Sequence, residues 1–318
     1  MFFTSAFWKR QARAALKNHW LTALLIALVV SLPSLLVQGI AAATGNDLLN
    51  RLTDVLYESV GAGGAVMPGK LMSGLEELRN AAGIWIMQGL YLLSWLLTPC
   101  LTIGMVNWML MRLRKQEAGD VSAVFSRMSV FFKGIGIRLY VAFRVFLWTL
   151  PGLALGAAAV LPILLSDRTS SISLLSAANT AAGIEYAAVA VTAALGVTAM
   201  LRYALGDMVL ADHPETGPVK AAEESKRLTK GRKGLLFSLY LSFIFWYLAE
   251  TAAANVILDL FGSIPALMTE MLCSLAITVY LHTSVTGFYL TVSESGKAGK
   301  ETIPEEENKG PEEEEAEP

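Results

Sequence analysis

The sequence WLTALLIALVVSLPSLLVQGIAAA, residues 20–43, decides the fold class because it continues for 24 residues without a charged side chain. An α-helix rises about 1.5 Å per residue, so this stretch as a helix exceeds the roughly 30 Å of hydrocarbon in a bilayer. In water, a helix that is apolar on every side must be buried completely. The stretch therefore predicts a membrane-spanning helix.

Five further apolar runs of similar length follow along the chain. The six predicted spans are residues 20–43, 84–111, 139–165, 184–210, 235–258 and 266–292. None of them alternates apolar and polar residues as the strand of a membrane barrel does. Lipid offers the backbone no hydrogen-bond partner, so each run must be helical. The predicted fold is an all-α membrane protein with six transmembrane helices.

The overall composition agrees with this fold class. Of the 318 residues, 54% are hydrophobic and only 16% are charged, whereas a soluble domain has about 25% charged residues. The net charge is −2, and we expect a lipid bilayer as the principal partner and no nucleic acid. A cleaved signal peptide is the alternative for the first run, but the run is too long for a hydrophobic region of about 7–15 residues.

The basic residues predict the orientation. The segments before span 1, between spans 2 and 3, between spans 4 and 5 and after span 6, with Arg202 at the end of the fourth run, contain 20 of the 25 Lys and Arg residues. Basic segments stay on the cytoplasmic side of a membrane. We therefore expect a multi-pass protein of the cytoplasmic membrane with both termini in the cytoplasm.

The spans group into three predicted hairpins, each preceded by a cytoplasmic amphipathic or basic segment. Residues 1–19 form the first such segment, and the steps Lys133–Gly134 and Lys230–Gly231 end the other two, with Lys17–Asn18 as a looser first copy. In the second segment, Val121, Val124, Phe125, Met128 and Phe132 share one helical face. Such helices lie in the interface, apolar side toward lipid and basic side toward anionic headgroups. A docking surface for a cytoplasmic protein is the alternative.

Two segments outside the spans have a distinct composition. Residues 44–83 contain two amphipathic stripes around a glycine-rich hinge at 61–69, which predicts two short helices on the outer surface or a lid over a cavity. Residues 297–318 contain nine Glu and three Pro and almost no apolar residue. Such a tail cannot bury enough surface to fold, so we expect it to be disordered and cytoplasmic.

Four ionisable residues within or near the spans are the candidate functional positions: Arg144, Asp207, Glu250 and His282. A charge inside the membrane costs about 2.5–3.5 kcal/mol, so such residues often mark a function. Each also has a structural interpretation. Arg144 can extend to the headgroups, Asp207 can be solvated beyond a helix end, and Glu250 and His282 can bond to neighbouring helices.

Motifs of known chemistry are missing from the sequence. It contains no GxxxxGK[ST], HExxH or GxSxG motif, and its three histidines are widely separated. Its two cysteines, Cys100 and Cys273, lie inside predicted spans, where a free thiol usually behaves as a small apolar group. We therefore predict no catalytic residue, no cofactor and no metal site.

Residues 202–250 resemble the signature of a bacterial integral-membrane family, the domain of unknown function 975. The matching residues are Tyr203, Leu210, Ala211, Asp212, Ser225, Lys230, Gly231, Leu241, Ser242, Phe243 and Trp246. Pro99, Gly104, Arg114 and Phe125 upstream, and Gly287, Phe288 and Tyr289 downstream, are similar to the family as well. The segment 281–285 departs from it. The resemblance implies six spans and a cytoplasmic-membrane location, and it implies no activity.

Two hypotheses for function follow. The first is a non-enzymatic scaffold, accessory or envelope component, suggested by the missing catalytic motifs and the basic segments. The alternative is a transporter or carrier of a small solute or lipid, which would use helices kinked by Pro33, Pro99, Pro151 and Pro162 and the internal acids. An intramembrane enzyme is a third and weaker interpretation. The sequence identifies neither protein partners nor an oligomeric state.

Overall fold

The computed structural model describes residues 4–44, 48–59, 68–159 and 171–301, which contain helices and no strand. The α-helices are α1 (Ser5–Leu16), α2 (Trp20–Thr44), α3 (Leu48–Ser59), α4 (Pro68–Asn80), α5 (Ala82–Leu113), α6 (Phe131–Ala158), α7 (Ser171–Tyr203), α8 (Gly206–Asp212), α9 (Pro218–Thr229), α10 (Lys233–Phe261) and α11 (Ser263–Glu301). A 3-10 helix, Val121–Val130, precedes α6.

Six helical segments of the described residues are long and apolar enough to span a membrane, and the protein is therefore a multi-pass membrane protein. They are Trp20–Ala41, Ala82–Leu113, Val121–Ala158, Asn179–Asp212, Lys233–Phe261 and Ile264–Ser295. Span α2 packs against α5, α6 against α7, and α10 against α11. The predicted number of spans and the all-α fold are confirmed.

Two predicted spans differ in their bounds. The third was expected at 139–165, but α6 begins at Phe131 and ends at Ala158, so it includes Lys133 and Arg138. The fourth was expected to continue through 210, but the helix breaks after Tyr203 and resumes at Gly206 as α8. Pro33, Pro99 and Pro151 lie inside helices, and Pro162 lies outside the described residues.

The bundle is packed more tightly toward one end, the end at which α1, the 3-10 helix, α8 and α9 lie; we call it the α1 end. On α5, the buried residues are concentrated between Pro99 and Leu110, and on α11 they lie between Leu275 and Val292. The largest buried cluster also includes Leu236, Leu239 and Phe243 from the first turns of α10. The opposite halves of these helices contain few buried residues.

Helix α1 is amphipathic as predicted, but its apolar side packs against protein. Trp8, Ala12 and Leu16 are fully buried, and the Trp8 Nε1 donates to Thr291 Oγ1 of α11. Lys9 Nζ donates to the carbonyl oxygen of Ser242, and burial together with the nearby Arg13 lowers the pKa of Lys9. The expectation that this side rests on lipid was wrong, because α5, α10 and α11 already cover it.

The second predicted amphipathic segment is not an α-helix. Residues 121–130 form a 3-10 helix that packs along α5, so the five apolar residues do not share one face. Val124 is fully buried, whereas Phe125, Met128 and Phe132 are exposed. A Cβ at Gly104 of α5 would lie 1.8 Å from the backbone oxygen of Val124, so only glycine permits this close approach.

Two of the three predicted copies of the internal repeat, Lys17–Asn18 and Lys230–Gly231, share one backbone turn, and the third does not. Helices α1 and α9 have 12 residues each, and each is followed by a lysine with nearly the same backbone, φ −55° and ψ 127° at Lys17 and φ −62° and ψ 125° at Lys230. The next residues, Asn18 and Gly231, have φ of 68° and 76°, in the left-handed region. The Lys133–Gly134 step lies inside α6 instead.

The two segments of unusual composition are described in part. The two short helices predicted after span 1 are present as α3 and α4, and Val55 contacts Gly74 between them. Most of the predicted hinge, namely residues 61–67, lies outside the described residues. Helix α11 continues to Glu301, so residues 297–301, expected to be disordered, are helical, and residues 302–318 lie outside the description.

Candidate functional site

A cavity of about 1420 Å³ lies between the spans. On α2 its lining extends from Ala27 to Gly39, which is about 18 Å of helix, and on α11 from Leu267 to His282. The lining positions on α2 are spaced by three and four residues, so the helix presents one face to the cavity. The remaining lining comes from α5, α6, α7, α8 and α10.

The walls of this cavity differ in polarity. Helices α2, α5 and α11 supply apolar side chains such as Leu35, Met105 and Met271 together with uncharged polar ones, namely Ser31, Ser34, Gln38, Thr98, Thr102, Ser274 and Thr278. Helix α6 supplies apolar ones, namely Val141, Ala142, Val145 and Phe146. The lining therefore combines polar and apolar groups, with an apolar stripe on α6, which suits a ligand with both polar and apolar parts.

Six titratable residues line the same cavity: Arg138, Tyr203, Asp207, Tyr240 and His282, and also Glu270, which precedes His282 by twelve positions on α11, about 18 Å of helix. We call the first five the polar cluster. Arg138 Nη2 lies 3.9 Å from Asp207 Oδ2, near the upper limit for an ion pair. The side chains of Arg138 and Asp207 remain 34% and 27% exposed. Both charges therefore stay accessible to the contents of the cavity.

The break between α7 and α8 places Asp207 in the cavity. Ser225 of α9 is fully buried at this break, where its Oγ accepts a hydrogen bond from the Leu205 N–H and donates to the Arg202 carbonyl oxygen. These bonds satisfy backbone groups that a continuous helix would pair internally. Thr229 Oγ1 also donates to Arg202. Ser225 thus holds the break that orients Asp207.

A second polar group closes the α1 end beyond the cavity. Arg114, at the end of α5, donates to both carboxylate oxygens of Asp212, and Tyr289 of α11 donates to the same carboxylate. The hydrogen bond and charge of Asp212 raise the pKa of Arg114 despite partial burial. The bidentate geometry makes this a strong contact, and it joins three helices.

The structure separates the four ionisable candidates. Asp207 and His282 line the cavity, whereas Arg144 and Glu250 do not. The guanidinium of Arg144 lies over the Tyr140 ring, and its Nε donates to the Tyr140 hydroxyl at 3.1 Å. Glu250 is buried on α10 outside the cavity lining.

The residues of the sequence signature have varied positions. Tyr203 lines the cavity, Ser225 holds the helix break, Asp212 pairs with Arg114, and Gly231 provides the left-handed turn after Lys230. Ser242 accepts the Lys9 hydrogen bond through its carbonyl oxygen, and Trp246 is exposed on α10.

Sequence reasoning missed Arg138 and Tyr240 as cavity residues. The apolar residues 135–137 just before Arg138 were the available signal that the third span begins earlier.

The comparisons with known proteins identify the family. A family model described as a protein of unknown function, DUF975, matches residues 3–296. The chain belongs to this family. No curated protein and no solved structure matches the chain. In this DUF975 protein, no group of three or more His, Cys, Asp or Glu among the described residues is placed to hold a metal ion.

Proposed function

We propose that this DUF975 protein is a carrier that moves a small amphipathic molecule, a solute or a lipid, across the membrane. The cavity is the observation that supports the proposal. Protein interiors are close-packed, and helices in lipid associate largely through packing. A cavity of about 1420 Å³ between the spans removes packing contacts, which a scaffold has no reason to give up and a carrier needs for its ligand. Charged residues in a span are costly and usually face a ligand or a water-filled path.

The uneven packing supports a mechanism of alternating access. The α1 end is closed by the buried cluster and by the Arg114–Asp212–Tyr289 contact. Toward the opposite end, the cavity reaches Gln38, Gly39 and Leu267, where few side chains are buried. With the orientation expected from the basic residues, this arrangement corresponds to a carrier closed to the cytoplasm.

Reconstitution into liposomes tests the carrier. We expect fluorescent short-chain lipids or amphipathic solutes to cross vesicles containing the protein faster than protein-free vesicles. Asp207→Asn should lower the rate by about tenfold, equivalent to about 1.4 kcal/mol. Asp259→Asn, an exposed position on α10 outside the cavity lining, is the matched control and should leave the rate unchanged. Equal rates in vesicles with and without protein, across the panel, would reject the carrier.

A non-enzymatic scaffold or accessory role is the second candidate. It is favoured by exposed basic residues of α1 and α9, namely Arg10, Arg13, Lys17, Lys226 and Lys230. These side chains suit anionic headgroups or an acidic protein partner. Crosslinking in cells followed by identification of neighbours tests this role. Reporter fusions after Gly119 and Lys230 test the proposed cytoplasmic-membrane topology, in which both positions are cytoplasmic.

A further inference from the structure

We infer that the cavity binds an amphiphile with a zwitterionic headgroup, whose anionic part pairs with Arg138 and whose cationic part pairs with Asp207. This inference rests on the proposed carrier function and names its substrate class. It depends on three features of the cavity: the loose ion pair, the balance of charge in the polar cluster, and the apolar wall that begins beside Arg138.

The ion pair is loose enough to exchange partners. At 3.9 Å, the contact between Arg138 and Asp207 is longer than a charge-assisted hydrogen bond of about 2.7–2.9 Å. Both side chains keep part of their surface open to the cavity, and neither has another ion pair among the described residues. A ligand with two opposite charges can therefore form two short contacts in place of one long contact.

The balance of charge selects the ligand class. Arg138 and Asp207 carry opposite charges, so the pair has no net charge, and the other acid of the lining, Glu270, lies about 18 Å of helix before His282 on α11. An amphiphile with one net charge would pair with one of these residues and repel the other, which leaves an uncompensated charge between the spans. A zwitterion satisfies both residues and adds no net charge.

The apolar stripe on α6 can contact the hydrocarbon part of the ligand. Val141, Ala142, Val145 and Phe146 follow Arg138 at spacings of three, four, seven and eight residues, so they continue its face of α6. A hydrocarbon chain attached to a headgroup at Arg138 would lie along this stripe. The volume exceeds the roughly 300–1,000 Å³ of ordinary small-molecule sites, which favours an amphiphile with a chain over a compact solute.

Binding by the purified full-length protein in detergent tests the inference. Three probes with the same acyl chains are compared: a zwitterionic phosphatidylethanolamine, an anionic phosphatidylglycerol and a cationic alkylammonium lipid. We expect the wild type to bind the zwitterionic probe about tenfold more tightly than either other probe. Arg138→Gln should shift the preference to the cationic probe, and Asp207→Asn to the anionic probe. Arg144→Gln, on the same helix but outside the cavity lining, and Asp259→Asn should retain the wild-type preference.

Each outcome of the binding experiment supports or overturns the inference. Opposite shifts in the two variants support the inference, and an equal loss of all three probes, as expected of a purely structural pair, overturns it. If neither variant folds, the wild type decides, because tighter binding of a singly charged probe overturns the inference. If the protein transports a singly charged amphiphile, the carrier function stands and the zwitterionic headgroup is rejected. If it binds the zwitterion selectively but transports nothing, only the carrier function is rejected.

Discussion

The guanidinium of Arg114 donates to both carboxylate oxygens of Asp212, with N–O distances of 2.7 and 2.9 Å, and this contact joins the end of α5 to the end of α8. The Tyr289 hydroxyl donates to the same carboxylate at 3.0 Å. Residues from three separate helices therefore meet at one acid. The contact therefore ties α5, α8 and α11 together at the α1 end of the bundle.

Loss of this acid is expected to destabilise the protein. In Asp212→Ala, the charge of Arg114 and the hydroxyl of Tyr289 lose their partner, which should lower the free energy of unfolding by about 2–4 kcal/mol. Thermal unfolding in detergent measures the change. Glu224→Ala is the control, because it removes a more exposed pair with Arg227 on α9 and should cost less than about 1 kcal/mol. Equal losses in the two variants would contradict the role given to Asp212.

The packing of α1 predicts a contrast between neighbouring aromatic residues. Trp8 is 1% exposed and its ring lies against Phe288, whereas Phe7 is 39% exposed. Trp8→Ala should therefore cost about 3–5 kcal/mol, and Phe7→Ala less than about 1.5 kcal/mol. Denaturant unfolding in mixed micelles gives both values. If both substitutions have small effects, α1 rests on the membrane surface, as the sequence alone had suggested.

The number and type of the spans could be predicted because a helix of about 20 apolar residues has one stable environment. The partner that covers an amphipathic face could not be predicted. The pattern shows that one side of the helix must be buried, but it does not show whether protein or lipid buries it. At α-helical spacing, both α1 and residues 121–130 place their apolar residues on one side. Protein covers that side of α1, whereas residues 121–130 form a 3-10 helix, which distributes their apolar residues over different sides.

The site was predicted only in part for a related reason. The sequence predicts Lys133 and Arg138 in the aqueous segment before the third span, but Lys133 lies inside α6, where its Nζ donates to the carbonyl oxygens of Pro214 and Glu215. Arg138 instead faces Asp207 at 3.9 Å, and a break in the fourth span brings this acid into reach. Contacts between residues far apart in sequence decided both positions.

The close approach between α5 and the 3-10 helix predicts a strong effect at one glycine. In Gly104→Ala, the new Cβ would lie 1.8 Å from the Val124 backbone oxygen and 2.6 Å from its carbon, so backbone must move. We expect a loss of about 2–4 kcal/mol or failure to fold, seen as a lower unfolding temperature or lower yield. Gly89→Ala on the same helix has no atom within 4 Å and should change stability by less than about 1 kcal/mol. Tolerance of both substitutions would show that these two elements are further apart.

Filling the cavity should block the proposed carrier without unfolding it. Ala142 lines the cavity on α6, whereas its neighbour Phe143 is 59% exposed and does not line the cavity. Ala142→Trp places an indole beside the apolar wall, where it competes with the ligand, so flux and binding should fall by about tenfold. Phe143→Trp adds a similar ring on the outer side of the same helix and should retain both activities. Flux in liposomes and unfolding temperature are measured for each variant. Full flux through Ala142→Trp would mean that the transported molecule does not pass through this cavity, whereas a loss in both variants would point to damage in α6 itself.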